Sequence, residues 1–345
     1  MISHLVLLLA SLALLIKSAD VLVEAAARLA RRLGVSDLVV GLVITSIGTS
    51  LPEITASIAA ALAGSPALAI GNVVGSNIAN IGLVLGAAAV FRPFPTRPVM
   101  FDRDGYILIG STVLVFGLSL NNRIGRLEAL VLLLVYLGYV LFAARTERDA
   151  GAHRFKDFLA YMFAFEYARP LVSAVSGGGR GERAAARMEG EDERHGFRDG
   201  ALLMASLVVL IGSARFVVAE SIWVARAFSV PENLIGLSIL AIGTSLPELL
   251  VGLSAARRGK PEIVLGNVMG SNVANLLLIL GATGLLRPLD VPEMSVVYTM
   301  PIMIFFTLGL LHVMRRGGDI RRGHGVIAVT AYVAFLATAF VQGWG

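Results

Sequence analysis

Glu53 and Glu248 are carboxylates set deep in apolar sequence, where an ionised group is costly. Each closes a Gly-Thr-Ser-Leu-Pro-Glu hexapeptide, at 48–53 and 243–248. The copies are offset by 195 residues without a gap, through a second shared block that runs Gly71-Asn72 to Asn80 and Gly266-Asn267 to Asn275. Each copy supplies carboxylate, amide and hydroxyl oxygens. These are hard ligands, suited to calcium or sodium and poor for zinc or copper. A carboxylate inside a membrane segment is functional by default. A matched pair beside Gly/Pro interruptions in two repeats reads as two half-sites for a cation, facing each other within a bilayer.

The local sequence explains how such oxygens become available. Pro52 has no N–H, so the carbonyl of Gly48 loses its helical partner, and a break or unwinding is predicted near 48–52. Ser46, Thr49, Glu53 and Ser57 follow at spacings of three and four and share one helix face; Ala241, Thr244, Glu248 and Gly252 are their counterparts. Asn72, Ser76 and Asn80 form a second polar stripe, repeated as Asn267, Ser271 and Asn275. Gly71, Gly75, Gly266 and Gly270 leave flat surfaces on which helix backbones can approach closely. By itself, an intramembrane Ser or Asn usually bonds a neighbouring helix; the paired glutamates are what turn this pattern into a site.

The elements that must position these groups are membrane helices. The chain has 345 residues and is 56% hydrophobic but only 15% charged, against about one-quarter charged for a soluble domain. It has no cysteine, which excludes disulfides, thiolate metal sites and Cys nucleophiles. Ten stretches approach the roughly 20 apolar residues of a span: 4–31, 36–63, 67–91, 104–120, 127–143, 200–227, 232–256, 262–286, 293–314 and 324–342. The first is read as a retained span and not a removed signal, because it lacks a basic n-region and a cleavage site. The expected fold is an all-α polytopic membrane protein of ten transmembrane helices in two inverted five-helix repeats. Its organisation is a first repeat over 1–143, a linker over 144–199 and a second repeat over 200–345. The sequence duplication covers the first three spans of each half, and the last two match only in hydropathy.

An odd number of spans per repeat inverts the second half. With the N-terminus outside, the inside loops hold thirteen Lys/Arg and the outside loops four, namely Arg123, Arg126, Arg226 and Arg287. This places both termini outside and the linker in the cytoplasm of a multi-pass cell-membrane protein. The formal charge of +5 then reports topology and not nucleic-acid binding. Within the linker, Phe155, Phe158, Leu159, Met162 and Phe163 recur at helical spacing and predict an interfacial helix. Gly177 to Gly179 and the charged stretch to Asp199 read as flexible. In the first span Lys17 is within helical reach of Asp20. Arg215 stands at the position equivalent to Asp20, which suggests an Asp20–Arg215 pair between spans one and six; the alternative is that each snorkels or finds a local partner, such as Glu220 for Arg215. Trp223 and Tyr298 read as ordinary membrane aromatics.

The paired Gly-Thr-Ser-Leu-Pro-Glu and Gly-Asn-Val-Val/Met-Gly-Ser-Asn blocks, their spacing and their inverted duplication resemble the alpha-repeats of the sodium/calcium exchangers, prokaryotic calcium/sodium antiporters of the calcium:cation antiporter superfamily. The resemblance implies spans two, three, seven and eight around the ions and a sliding bundle of spans one and six. It implies ion ligands at Glu53, Thr49, Ser50, Ser76 and Asn80 in one half, and at Glu248, Thr244, Ser245, Ser271 and Asn275 in the other. Backbone carbonyls near Ser46 and Ala241 would complete the sodium sites. Some members carry aspartate where this chain has Asn275, so the charge at the centre here is that of two glutamates.

The expected activity is secondary active antiport, sodium entering to drive calcium out by alternating access, with no cofactor and with the protein a monomer in the lipid bilayer. Two carboxylates balance one Ca2+, and the same oxygens can be shared among several Na+ ions. Leaving the pair ionised and empty is costly, which disfavours crossing without cargo. Exchange of calcium for H+, or a K+-dependent variant, is the near alternative. A cation channel is more distant, because its selectivity ring would come from oligomerisation. The sequence shows no nucleophile or phosphate-binding loop that would mark an enzyme.

Overall fold

The structure, a computed structural model, describes residues 2–33, 37–96, 100–146, 155–164, 191–227, 241–315 and 319–341. In the first half, α1 (Ile2–Leu33) is followed by α2 (Val40–Thr49), α3 (Leu51–Leu62), α4 (Pro66–Phe91), α5 (Tyr106–Leu118), β1 (Arg123–Ile124) and α6 (Arg126–Thr146). A short helix, α7 (Phe155–Phe163), precedes the second half. That half contains α8 (Glu191–Ala227), α9 (Ala241–Thr244), α10 (Leu246–Arg257), α11 (Pro261–Leu286), β2 (Leu289–Asp290), α12 (Met300–Arg315) and α13 (Arg322–Val341). Among the described residues six helices are long and apolar enough to cross a bilayer unaided, and the bent pair α2–α3, taken as one span, makes a seventh. The remaining expected spans correspond to α5, to α13, and to 232–256, whose first part lies outside the described residues.

α4 and α11 form the centre. Of their most apolar stretches, 78% and 94% of residues are buried, against 28% in α1. α1 lies along α8 at the periphery. Its N-terminal half turns Leu5, Val6, Leu9 and Leu14 outward, as a lipid-facing surface requires. Its C-terminal half buries Leu22, Val23, Ala26 and Ala30.

The twofold relation extends beyond the duplicated sequence. The last turns of α4 pack on α13, and those of α11 pack on α6, so each half's third span meets the other half's fifth. Antiparallel bridges seal both contacts: Ile124 pairs with Leu289 at one, and Phe94 with Ile320 at the other. Phe94 and Leu289 are related by the 195-residue offset, so these are two copies of one arrangement. Spans five and ten therefore obey a symmetry that their sequences show only as hydropathy.

The linker and the first span both depart from the sequence reading in part and agree with it in part. The charged residues from Glu191 to Asp199 are not a loose segment but the start of α8, anchored where Asp199 accepts from Arg28 and Arg32 of α1 at 2.8 Å each. The aromatic helix expected around Phe155–Phe163 is present as α7, with Phe158 set edge-on against Phe142 of α6 at 5.4 Å; Gly177 to Gly179 lie outside the described residues. Asp20 pairs with neither Lys17 nor Arg215. It accepts from Ser254 Oγ at 2.5 Å and from Arg257, both on α10, because the C-terminal end of α10 packs against this turn of α1. Glu220 likewise takes His4 of α1 at 2.7 Å in place of Arg215, and Trp223 stacks on that imidazole at 3.6 Å.

Candidate cation-binding site

The second span breaks where Pro52 dictates. α2 and α3 meet at 47°, and Ser50 between them sits at φ −81°, ψ 5°, outside the helical well. Ser245 repeats this between α9 and α10 at φ −90°, ψ 7°. Pro52 and Pro247 each stand in the first turn of the helix that follows, where a missing N–H costs nothing. Each break carries the Thr-Ser pair just ahead of the glutamate.

α11 approaches α2 backbone to backbone. A methyl on Gly266 would lie 2.6 Å from the carbonyl oxygen of Leu38 and 3.0 Å from Gly41 Cα; one on Gly270 would strike the carbonyl of Leu42. The glycine expectation holds for Gly266 and Gly270, whereas a methyl on Gly71 or Gly75 would meet nothing within 4 Å among the described residues. The counterparts of Gly41 and Leu42 in the second half, Gly236 and Leu237, lie outside the described residues.

Close approach brings the oxygens of the two halves together. Glu53 and Glu248 are each only 1% exposed and lie within electrostatic reach of each other. Ser50 Oγ donates to Glu248 Oε1 at 3.2 Å, and Thr49 also lies against that carboxylate, so hydroxyls of the first half hold the glutamate of the second. Thr49 Oγ1 further donates to Asn267 Oδ1 at 3.3 Å. On the first half's own side Asn72 Nδ2 donates to Ser57 Oγ at 2.9 Å and to the Glu53 carbonyl at 3.3 Å.

The amides are arranged by a symmetric exchange. Asn80 Nδ2 donates to Asn272 Oδ1 at 3.0 Å, and Asn275 Nδ2 donates to Asn77 Oδ1 at 3.3 Å. Under the offset of 195 these are one contact seen twice. With each N–H engaged, the carbonyl oxygens of Asn80 and Asn275 are left over. Asn77 and Asn272 were not singled out from the sequence, although they fall inside the repeated block three residues before Asn80 and Asn275. Their recurrence at that spacing was the available signal. Helical geometry loosens here as well: π-helical turns begin at Asn80 and at Ala274, a feature frequent at functional positions.

Among the described residues nine buried side-chain polar atoms have no hydrogen-bond partner; four are Thr45 Oγ1, Tyr139 Oη, Thr283 Oγ1 and Asn267 Nδ2, and the other five are Glu53 Oε2, Glu248 Oε2, Asn80 Oδ1, Asn275 Oδ1 and Ser245 Oγ. All five belong to residues predicted as ligands. Buried polar atoms are almost always satisfied, and leaving a charged one bare is expensive, so these five oxygens are candidate cation ligands. Among the other expected ligands, Ser46, Thr49, Ser50, Ser76 and Ser271 are all buried. The Ser46 carbonyl accepts from Ser50 N at 3.0 Å and Ser271 Oγ at 3.5 Å. Ala241 opens α9. Thr244 stands apart from its twin Thr49. It lines a crevice of about 520 Å3 that runs between α3 and α8 along Pro52, Thr55 and Ala59 on one wall and Ile211, Val218 and Ile222 on the other.

Known proteins share this architecture end to end. The chain is 41% identical to the sodium/calcium exchanger MaX1 of Methanosarcina acetivorans, covering 97% of each. It is 30% identical to the inner membrane protein YrbG of Escherichia coli, over 97% of this chain and 96% of that one. Among solved structures, the sodium-calcium exchanger NCX_Mj superposes with a TM-score of 0.79 at 26% identity, again over 97% of both chains. The family of the sodium/calcium exchanger protein matches residues 3–145 and 200–341, which are the two helical halves without the linker. With Glu53 and Glu248 meeting at the junction of those halves, the chain belongs to the sodium/calcium exchanger family.

Proposed function

We propose that this protein is a membrane antiporter that exchanges sodium for calcium, binding both ions in turn between Glu53 and Glu248. The observation that carries this reading is the set of five bare, buried oxygens drawn from both repeats. Two ionised carboxylates neutralise one Ca2+, while Asn80, Asn275 and the Thr-Ser hydroxyls complete an all-oxygen shell. Several Na+ ions divided over the same oxygens give an equivalent charge balance. The empty site leaves two carboxylates facing each other in a dry interior, so movement between access states is favoured only with cargo aboard. That penalty is the coupling.

Alternating access follows from the uneven attachment of the α1–α8 bundle. At one end Asp20 is tied to Ser254 and Arg257, and Glu24 to Arg258 at 3.3 Å, which fastens α1 to the end of α10. At the other end the crevice reaches Thr244. With the basic loops inside, the fastened end is cytoplasmic and the crevice is extracellular, so this conformation faces outward. The relative NCX_Mj has been studied for extracellular ion exchange and induced occlusion of its binding site, a sequence that an open outer crevice supports here.

The test is calcium uptake into sodium-loaded proteoliposomes, repeated with a proton gradient in place of sodium and then with neither. Sodium-driven uptake is expected, and uptake driven by protons alone would overturn the choice of coupling ion. Glu53→Gln and Glu248→Gln are each expected to abolish uptake; an active double variant would remove the site from this account.

A further inference from the structure

The outer crevice carries a charge of the wrong sign for a path that admits cations. On α8 the residues facing it are Ile211, Ala214, Arg215, Val218, Ala219 and Ile222. Their spacings of three and four define one helix face, so Arg215 projects from the crevice wall and not from the lipid-facing side marked by Phe216. Among the described residues that line the crevice, Arg215 is the one with a formal charge. It is exposed and, among the described residues, has no ion-pair partner. The same crevice reaches Thr244 in the signature hexapeptide, so an ion entering or leaving by it passes within the field of the guanidinium.

The position related to Arg215 by the 195-residue offset is Asp20. It lies at the fastened end, on α1, held by α10. Two positions equivalent by repeat symmetry thus carry opposite charges, one toward each face of the membrane.

We propose that Arg215 is a specificity-determining residue of the extracellular vestibule: it weakens capture of Ca2+ from outside more than capture of Na+. The proposal rests on the reading of the site as a sodium/calcium exchange site entered through this crevice. A fixed positive charge raises the energy of an approaching ion in proportion to its valence. For a charge on the order of 10 Å from the ion in a water-like dielectric, half-saturation rises about four-fold for a divalent ion and about two-fold for a monovalent one. The equilibrium of the full exchange is set by the gradients and is untouched. What changes is the affinity of the outward-facing state, so that calcium delivered from inside leaves readily and sodium takes its place. Salt in the vestibule screens the effect.

The experiment measures sodium-coupled calcium-45 flux by the full chain in right-side-out and inside-out membrane vesicles. In right-side-out vesicles Arg215→Gln is expected to lower the external half-saturating Ca2+ about four-fold and that for Na+ about two-fold, with a smaller shift at high choline chloride. Arg215→Lys is expected to behave as the unaltered protein. Ala219→Lys, which adds a charge one turn farther out on the same face, is expected to raise the external Ca2+ requirement. In inside-out vesicles the cytoplasmic Ca2+ requirement of Arg215→Gln is expected to stay unchanged. Equal shifts for both ions, a Lys variant that behaves like Gln, or an external Ca2+ requirement unmoved by Ala219→Lys would each overturn the proposal. Should Arg215→Gln fail to fold, Ala219→Lys decides it in the native background. If the unaltered protein shows sodium-coupled flux that Glu248→Gln abolishes, a failure in the Arg215 series removes this inference and leaves the site intact. Absence of coupled flux in the unaltered protein would instead defeat the antiport reading.

Discussion

At the scale of single residues, the site is governed by which lone pairs are already used. On the proposed reading Asn80 and Asn275 serve as ligands because Asn272 and Asn77 occupy an N–H of each, leaving their carbonyl oxygens over. Replacing Asn272 or Asn77 by Leu removes that acceptor, frees the Asn80 or Asn275 amide to rotate, and leaves a buried donor unpaired. The cost is about 1–3 kcal/mol in stability and, where the ligand oxygen turns away, on the order of a tenfold loss in calcium affinity. Thermal unfolding in detergent, with and without Ca2+, measures both: a lower midpoint in each variant and a smaller calcium-induced rise. The glutamates differ in kind. Their Oε2 atoms are bare and buried, so neutralising either removes half of the charge that a divalent ion needs. The motif showed these oxygens as candidates, and the spacing of Asn72, Ser76 and Asn80 identified a polar face. That a neighbouring asparagine orients each ligating one depends on a contact between residues nearly two hundred positions apart.

At the scale of elements, broken helices and close-packed glycines set the geometry. The break at Ser50 was legible because a proline removes one named hydrogen bond, a local fact. The close approach of α2 to α11 was legible as small residues in a row, but not which helix they would meet. Gly266 meets the backbone at Leu38 and Gly41, and no side-chain rotation relieves a clash with backbone. Gly266→Ala is therefore expected to push α2 from α11, to destabilise the protein by about 1–3 kcal/mol as an overpacked contact, and to slow transport by separating the two half-sites. The checks are the unfolding midpoint and the maximal sodium-driven calcium flux. A variant with unaltered stability would show that the two helices have room to spare. Packing of α4 on α13 and α11 on α6 shows the same division. The hydropathy of spans five and ten gave their existence, while their swap between halves required both repeats to be folded against each other.

For the whole molecule, the proposed mechanism depends on which end of the α1–α8 bundle is fastened. Asp20 holds α1 to α10 through Ser254 and Arg257, and on the proposed reading this fastening favours the form in which the crevice at the opposite end is open. Asp20→Asn weakens it and is expected to shift the population toward the inward-facing form. The chain has no cysteine, so a single one introduced at Ala59, which lines the crevice, reports its exposure cleanly. Labelling of Ala59→Cys by a membrane-impermeant maleimide added outside is expected to slow several-fold when Asp20→Asn is also present. Labelling at an unchanged rate would separate the Asp20 contacts from the choice of access state.

Much was determined by the sequence: a polytopic helical membrane protein, two copies of one motif, a helix break beside each glutamate and a set of candidate hard-oxygen ligands. These follow from bilayer thickness, from the cost of burying charge in hydrocarbon and from the missing N–H of proline, all of which act over a few neighbouring residues. The partner of Asp20, the pairing of His4 with Glu220, the orienting role of Asn77 and Asn272, and the different surroundings of Thr49 and Thr244 were decided by the tertiary structure. Symmetric sequence permits two arrangements of the repeats and cannot choose between them. On the proposed mechanism the choice is made when one end of a shared helix pair is tied down and the other is left open, because packed interfaces have discrete states and do not deform smoothly between them.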